Sequence, residues 1–355
     1  MQRFYTHFFL SMLLIITVSG CSSIGDSMKA SPSFINSLGM ADIPLEDLKE
    51  TYTNEYSKWA TVNGLEIHYQ ELGEGPTIVL LHGVMSSLQT WDDWVLELSK
   101  SYHVISIDLP GFGLTGAPES LDDFTEEYLL NTFAKFVHEI ELENFSLVGN
   151  DLGGYVAAQY AASYPESIDY LILIDPIAYP QDMPWVMDLS TTPVISSIGK
   201  VFQPPVIITM NVKQMYGDHQ RIERRHMDRY VQIAQRAGAR SAYIRTMEIL
   251  KERSTQETPL PFSRIKAPTL LMWGELDNWT PVELSQRWKD DIRDSQIVVY
   301  PGVGHVPMEE IPALTVVDAI KFFNGEKVVA PQPLSDGKVF SKPGAMERTL
   351  EGVSN

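Results

Sequence analysis

Three residues of this chain could carry covalent chemistry. Asp151 sits in "LVGNDLGGY" (Leu147 to Tyr155), the Gly-x-nucleophile-x-Gly spacing of a sharp strand-to-helix turn whose central residue is usually serine. Asp277 lies in "WGELD" and His305 in "GVGHVP". A serine would need a histidine to remove its proton before attacking an acyl carbon. A carboxylate is already ionised at neutral pH and needs no such help. Its attack on an ester leads to a mixed anhydride with little driving force. Attack on a saturated carbon instead displaces a halide or opens an epoxide, and leaves an alkyl ester on the aspartate. A histidine base could then activate a water against that ester.

Several short elements must place these residues. "TIVLLHG", "HVISID", "FSLVG", "YLILID", "TLLMWG" and "QIVVYPG" are short apolar runs that read as buried parallel strands, and "LEIHYQELG" alternates like a half-buried strand. Helical spacing fills Thr125 to Ile140 and Leu152 to Tyr164. Strand–helix alternation predicts an α/β fold with a mostly parallel sheet. The alternation spans residues 57–178 and 263–325. Residues 179–262 lack clear strands and are expected to form an inserted helical lid. Asp151, Asp277 and His305 each follow a predicted strand, at the sheet edge where such folds bind ligands. Asp175, also at a strand end in "LILIDP", is a second candidate acid.

"LLHGVMSS", "IDLPGFGLT", the elbow, "LMWGELDNWTP" and "GVGHVPMEE" together resemble the α/β-hydrolase family from Trp59 to Phe323. The resemblance implies an eight-stranded sheet and assigns Asp151 as nucleophile, Asp277 as the acid that orients the base, and His305 as base. It implies an oxyanion hole from the N–H groups of Val84 and Leu152, and a supporting role for His82 and Gly83. An aspartate at the elbow resembles epoxide hydrolases and haloalkane dehalogenases. Leu152 stands where those families usually carry Trp, and "HGVMSS" is more similar to serine esterases and carbon–carbon bond hydrolases. The missing Trp weighs more against halide release, so an epoxide is the favoured substrate. An ester or carbon–carbon bond hydrolase with altered or lost activity is the alternative, and a non-catalytic binding lipoprotein a further one. Tyr216 and Tyr230 are candidate proton donors from the lid; Tyr243 and Trp185 are weaker candidates for the cavity. The apolar lid points to a small apolar organic substrate.

The chain begins "MQRFYTHFFLSMLLIITVSGCSS". Residues 1–20 resemble a bacterial lipoprotein signal, with lipid attachment expected at Cys21, the sole cysteine. Residues 21–56 are expected to tether the domain to the membrane, and 326–355 to form a loosely ordered tail. The implied location is the cell envelope, on the outer membrane facing the periplasm. A net charge of −19 argues against nucleic acid as a partner. Neither a metal-ligand cluster nor a cofactor fingerprint is legible, so no metal and no cofactor are expected.

Overall fold

The computed structural model describes Gly39 and residues 41–256 and 260–329. The signal, Cys21 and most of the expected tail lie outside the described residues. Among the described residues, eight strands form one sheet: β1 (Ser57–Val62), β2 (Leu65–Leu72), β3 (Thr77–Leu81), β4 (His103–Ile107), β5 (Phe145–Asn150), β6 (Ile168–Ile174), β7 (Thr269–Gly274) and β8 (Ser295–Tyr300). Their spatial order is β1-β2-β4-β3-β5-β6-β7-β8. β2 pairs antiparallel with both β1 and β4, and the remaining neighbours are parallel. Every residue of β5 and β7 is buried, which explains their unbroken apolar runs.

Helices cover the sheet, which gives an α/β fold. They are α1 (Leu45–Tyr52), α2 (Asp92–Leu98), α3 (Glu126–Glu139), α4 (Asp151–Ser163), then an inserted group between β6 and β7. That group comprises α5 (Trp185–Ser190), α6 (Pro193–Gly199), α7 (Pro205–Met215), α8 (Arg224–Ala234) and α9 (Ala239–Ser254). Beyond β7 come α10 (Leu284–Asp291), α11 (Pro307–Glu310) and α12 (Pro312–Phe323). α3 shows how local sequence sets an element: the Thr125 side chain accepts from Tyr128 N–H, and Glu126 and Glu127 face the positive helix end.

The tether and tail expectations need correction where residues are described. Residues 41–56 are folded as part of the domain rather than forming a tether. Ile43 exchanges backbone hydrogen bonds with Gln235 and Ala237, and Leu48 of α1 is buried. An apolar residue every turn lets this polar stretch dock. Likewise Val328 is buried, and its N–H donates to Gln296. No helix among the described residues is long and apolar enough to cross a membrane.

Candidate active site

The elbow between β5 and α4 holds Asp151 at φ +51°, a left-handed conformation that costs a non-glycine residue of order 1–3 kcal/mol. The flanking glycines permit it. A Cβ on Gly149 would lie 2.3 Å from Gly153 O, and one on Gly153 would lie 2.4 Å from Leu81 O. Asn150, just before the elbow, donates through Nδ2 to Ile174 O at 3.1 Å and to His305 O at 3.2 Å, tying two site loops together.

The Asp151 carboxylate is divided between two partners. Val84 N–H donates to Oδ2 at 2.8 Å. Oδ1 lies 3.9 Å from His305 Nε2. Leu152, expected to supply a second N–H, makes no hydrogen bond to this carboxylate among the described residues. His82 donates from Nδ1 to Gly83 O at 2.7 Å and accepts from Leu109 N–H at Nε2, 3.0 Å. Both ring nitrogens are thus committed, and burial lowers the ring's pKa against the pull of Asp108. His82 is a neutral brace for the loop that carries Gly83 and Val84.

His305 Nδ1 is 2.8 Å from Asp277 Oδ2. Asp277 is itself fixed by Trp279 N–H at 2.7 Å, Thr280 N–H at 3.1 Å and Thr280 Oγ1–H at 2.6 Å. Burial opposes a charge on His305, but Asp277 and then Asp151 outweigh it and hold the pKa well above the ordinary histidine range. Asp175, the second candidate acid, accepts from Gly274 N–H at 3.0 Å instead of meeting His305. Burial, reinforced by the Asp277 charge, pushes its pKa well above the usual carboxylate range.

A narrow cavity adjoins Asp151 and His305, lined also by Val84, Met85, Tyr230 and Trp279, and by Ile208, Asn211, Val212 and Met215 of α7 as its roof. It leaves about 10 Å³ for the centre of a water molecule, room for about one water. Any larger substrate must displace the α7 side chains. Tyr230 reaches this cavity with its ring, but its hydroxyl donates to Glu309 at 3.1 Å. Tyr216 is not on the cavity: its hydroxyl turns to His226 Nδ1 at 3.2 Å, and the residue borders an open depression beside Asp277. Tyr243 is buried and stacks on Phe112. The Trp185 side chain lies outside the described residues.

Two features escaped the sequence. Trp279 stacks on His305, with ring centroids 5.8 Å apart, and its buried indole N–H has no partner among the described residues. Its position two residues beyond Asp277 was the only available signal. The second is a clamp formed by Glu309 and Glu310, just after His305. Glu309 accepts from Arg229 at 2.9 and 3.0 Å and from Thr90 at 2.5 Å. Glu310 accepts from Gly217 N–H, Asp218 N–H and Gly304 N–H, at 2.8 to 2.9 Å. Burial alone would raise the Glu309 pKa, but Arg229 and then His226 pull it below the usual range. Glu309→Leu strands the buried Arg229 charge and should cost about 3–5 kcal/mol of stability. Urea unfolding checks this, and a loss under about 1 kcal/mol would show that the pair is not holding the insert.

The family model described as "Alpha/beta hydrolase family" matches residues 78–319. The chain belongs to the α/β-hydrolase family. Its match to Monoacylglycerol lipase ABHD6 of Mus musculus is 28% identical over 251 residues, covering 68% of this chain and 74% of that protein. A 2-hydroxy-6-oxo-6-(2'-aminophenyl)hexa-2,4-dienoic acid hydrolase of Metapseudomonas resinovorans is 26% identical over 280 residues, covering 75% and 91%. Among solved structures, a membrane phospholipase A described as a bacterial virulence factor superposes with a TM-score of 0.66 at 25% identity, covering 90% of this chain and 98% of that one. Membership in this hydrolase family fits the order of the site along the chain: nucleophile position, acid, histidine.

Proposed function

We propose that this α/β-hydrolase opens small apolar epoxides through an alkyl ester on Asp151, while tethered to the cell envelope at Cys21. One observation carries the reading: the Asp151 carboxylate keeps Oδ2 on Val84 N–H and leaves Oδ1 3.9 Å from His305 Nε2 at a narrow cavity, where the Asp277 and Asp151 charges raise the His305 pKa. Oδ1 attacks an epoxide carbon; the new C–O bond forms as the ring C–O bond breaks and its electron pair passes to the epoxide oxygen. His305 gives its Nε2 proton to that alkoxide. Esterification removes the Asp151 charge, one of the influences that hold the His305 pKa up, so the neutral ring becomes a base. It takes a proton from water, whose oxygen attacks the Asp151 carbonyl carbon. Val84 N–H supports the oxyanion on Oδ2. Collapse breaks the acyl C–Oδ1 bond; the departing alkoxide takes the remaining proton of the attacking water, which releases the diol and leaves both the carboxylate and the imidazolium.

That proton cycle closes only for an epoxide. A halide leaves without needing a proton, so His305 would have to shed its own to solvent before acting as a base. The relatives named as a monoacylglycerol lipase and a 2-hydroxy-6-oxo-6-(2'-aminophenyl)hexa-2,4-dienoic acid hydrolase support acyl substrates as the second reading. A panel of terminal epoxides, alkyl bromides and p-nitrophenyl esters separates them. Diol formation with negligible ester cleavage is expected; ester cleavage that survives Asp151→Asn would reject the proposal.

The pH profile follows from the same charge. A raised pKa keeps the proton on His305 through neutral pH and surrenders it only as pH climbs through the raised value. Single-turnover ring opening should therefore be flat across neutral pH and fall on the alkaline side. A rate that rises as His305 loses its proton would contradict its role as donor.

A further inference from the structure

The inserted helices carry a surface that the reaction leaves unused. Residues 189–212 hold one charged side chain, Lys200, in a chain with 27 basic and 46 acidic residues. Val194, Ile198, Val201 and Val206 within that stretch are 38–68% exposed. Val194 and Ile198 lie one turn apart on α6, on the same side. Four exposed large apolar side chains on one nearly uncharged stretch are more than a chain folded alone in water has reason to keep.

Two further observations indicate what covers the patch. Gly39 is held beside the patch: its O accepts from Gln203 N–H at 3.3 Å and from Arg240 Nη1 at 3.2 Å. Gln203 lies between Val201 and Val206, and the apolar stretch Phe8 to Val18 lies upstream on the same chain. α7, moreover, joins the patch to the active site. It exposes Val206 near its start and roofs the cavity with Ile208, Asn211, Val212 and Met215. Its far end is pinned, since Met215 O accepts from His305 N–H at 2.7 Å. Displacing the roof therefore means moving the end that bears the exposed valine.

We propose that this face of α6 and α7 rests on a lipid surface, with Val194, Ile198, Val201 and Val206 in the boundary between headgroups and acyl chains. Anionic headgroups repel most of a chain with this net charge, and the nearly uncharged face is the one that can approach. Side chains of this size at the boundary bind shallowly. An apolar substrate dissolved in the bilayer would reach the cavity beneath α7 without crossing water. The proposal does not depend on the chemistry at Asp151.

Tryptophan reporters test it in the full-length chain. Val201→Trp places an indole in the patch, and Leu96→Trp places one on α2, where Leu96 is 65% exposed. Each variant, with wild type subtracted, is bound to phosphatidylethanolamine–phosphatidylglycerol vesicles with brominated acyl chains. Emission from Val201→Trp should fall about twofold or more, and that from Leu96→Trp should stay unchanged. Adding Val194→Asp and Val206→Asp should abolish the quenching at residue 201, while thermal unfolding and flotation with the vesicles persist. Unquenched Val201→Trp emission on vesicle-bound chain overturns the proposal, as does a chain that stays off the vesicles. A shift that follows protein concentration rather than lipid assigns the patch to a second copy of the chain and overturns it too.

Discussion

His305→Gln should stop turnover after one event and leave an alkyl ester on Asp151. Glutamine cannot take a proton from water, so hydrolysis of the ester should fall about 10²–10⁴-fold. Ring opening slows as well, because glutamine has no proton to give. It slows less, since the alkoxide can be protonated by water and the attacking Oδ1 is intact. The ester therefore accumulates to one equivalent per chain, visible as a mass increase equal to the whole epoxide. Asp277, still held by Trp279 N–H and Thr280, cannot substitute, because its carboxylate reaches only the Nδ1 side of residue 305. Loss of turnover without an adduct would mean that no covalent ester precedes the water step.

Asp151→Ser should have the opposite character and create an activity. The elbow, the 2.8 Å His305–Asp277 pair and the Val84 N–H are the parts a serine esterase uses. Serine at residue 151 removes the negative charge that helps keep His305 protonated, so the ring can accept the hydroxyl proton. Val84 N–H, no longer occupied by Oδ2, becomes available to an acyl oxyanion. Such a donor is worth about 10²–10³ in rate; it is freed equally in Asp151→Ala, so the excess p-nitrophenyl butyrate cleavage expected of Asp151→Ser over Asp151→Ala reports the new nucleophile alone. Equal rates for the two variants would show that the surrounding machinery is not built for nucleophilic catalysis at this position.

These expectations draw on parts that differ in how legible they were. The parallel strands were plain, because buried strands are short, apolar and end in turn residues at the site. Asp151, Asp277 and His305 were legible for the same reason: each follows such a strand. The roles of Tyr216 and Glu309 were not. Glu309 reads as one acid in an acidic chain until Arg229, 80 residues earlier, is folded onto it. Tyr216 precedes a glycine turn that pointed toward the cavity, but His226 draws its hydroxyl aside. Leu48 shows the limit for short polar helices: Leu45, Leu48 and Tyr52 in a charged eight-residue stretch are a weak pattern, and contact with the fold decides its state. Trp279 carried no periodic signal, and its stacking on His305 emerges only in three dimensions.

The origin of the product oxygen tests the role of Asp151 most directly. Single-turnover reaction of the full chain with a terminal epoxide in oxygen-18 water, followed by mass spectrometry of the Asp151 peptide and the diol, separates the two routes. Covalent catalysis predicts that the heavy oxygen enters the Asp151 carboxylate first, while the first diol carries ordinary oxygen taken from Oδ1. Heavy oxygen passing straight into the diol, with the Asp151 peptide unlabelled, would contradict it.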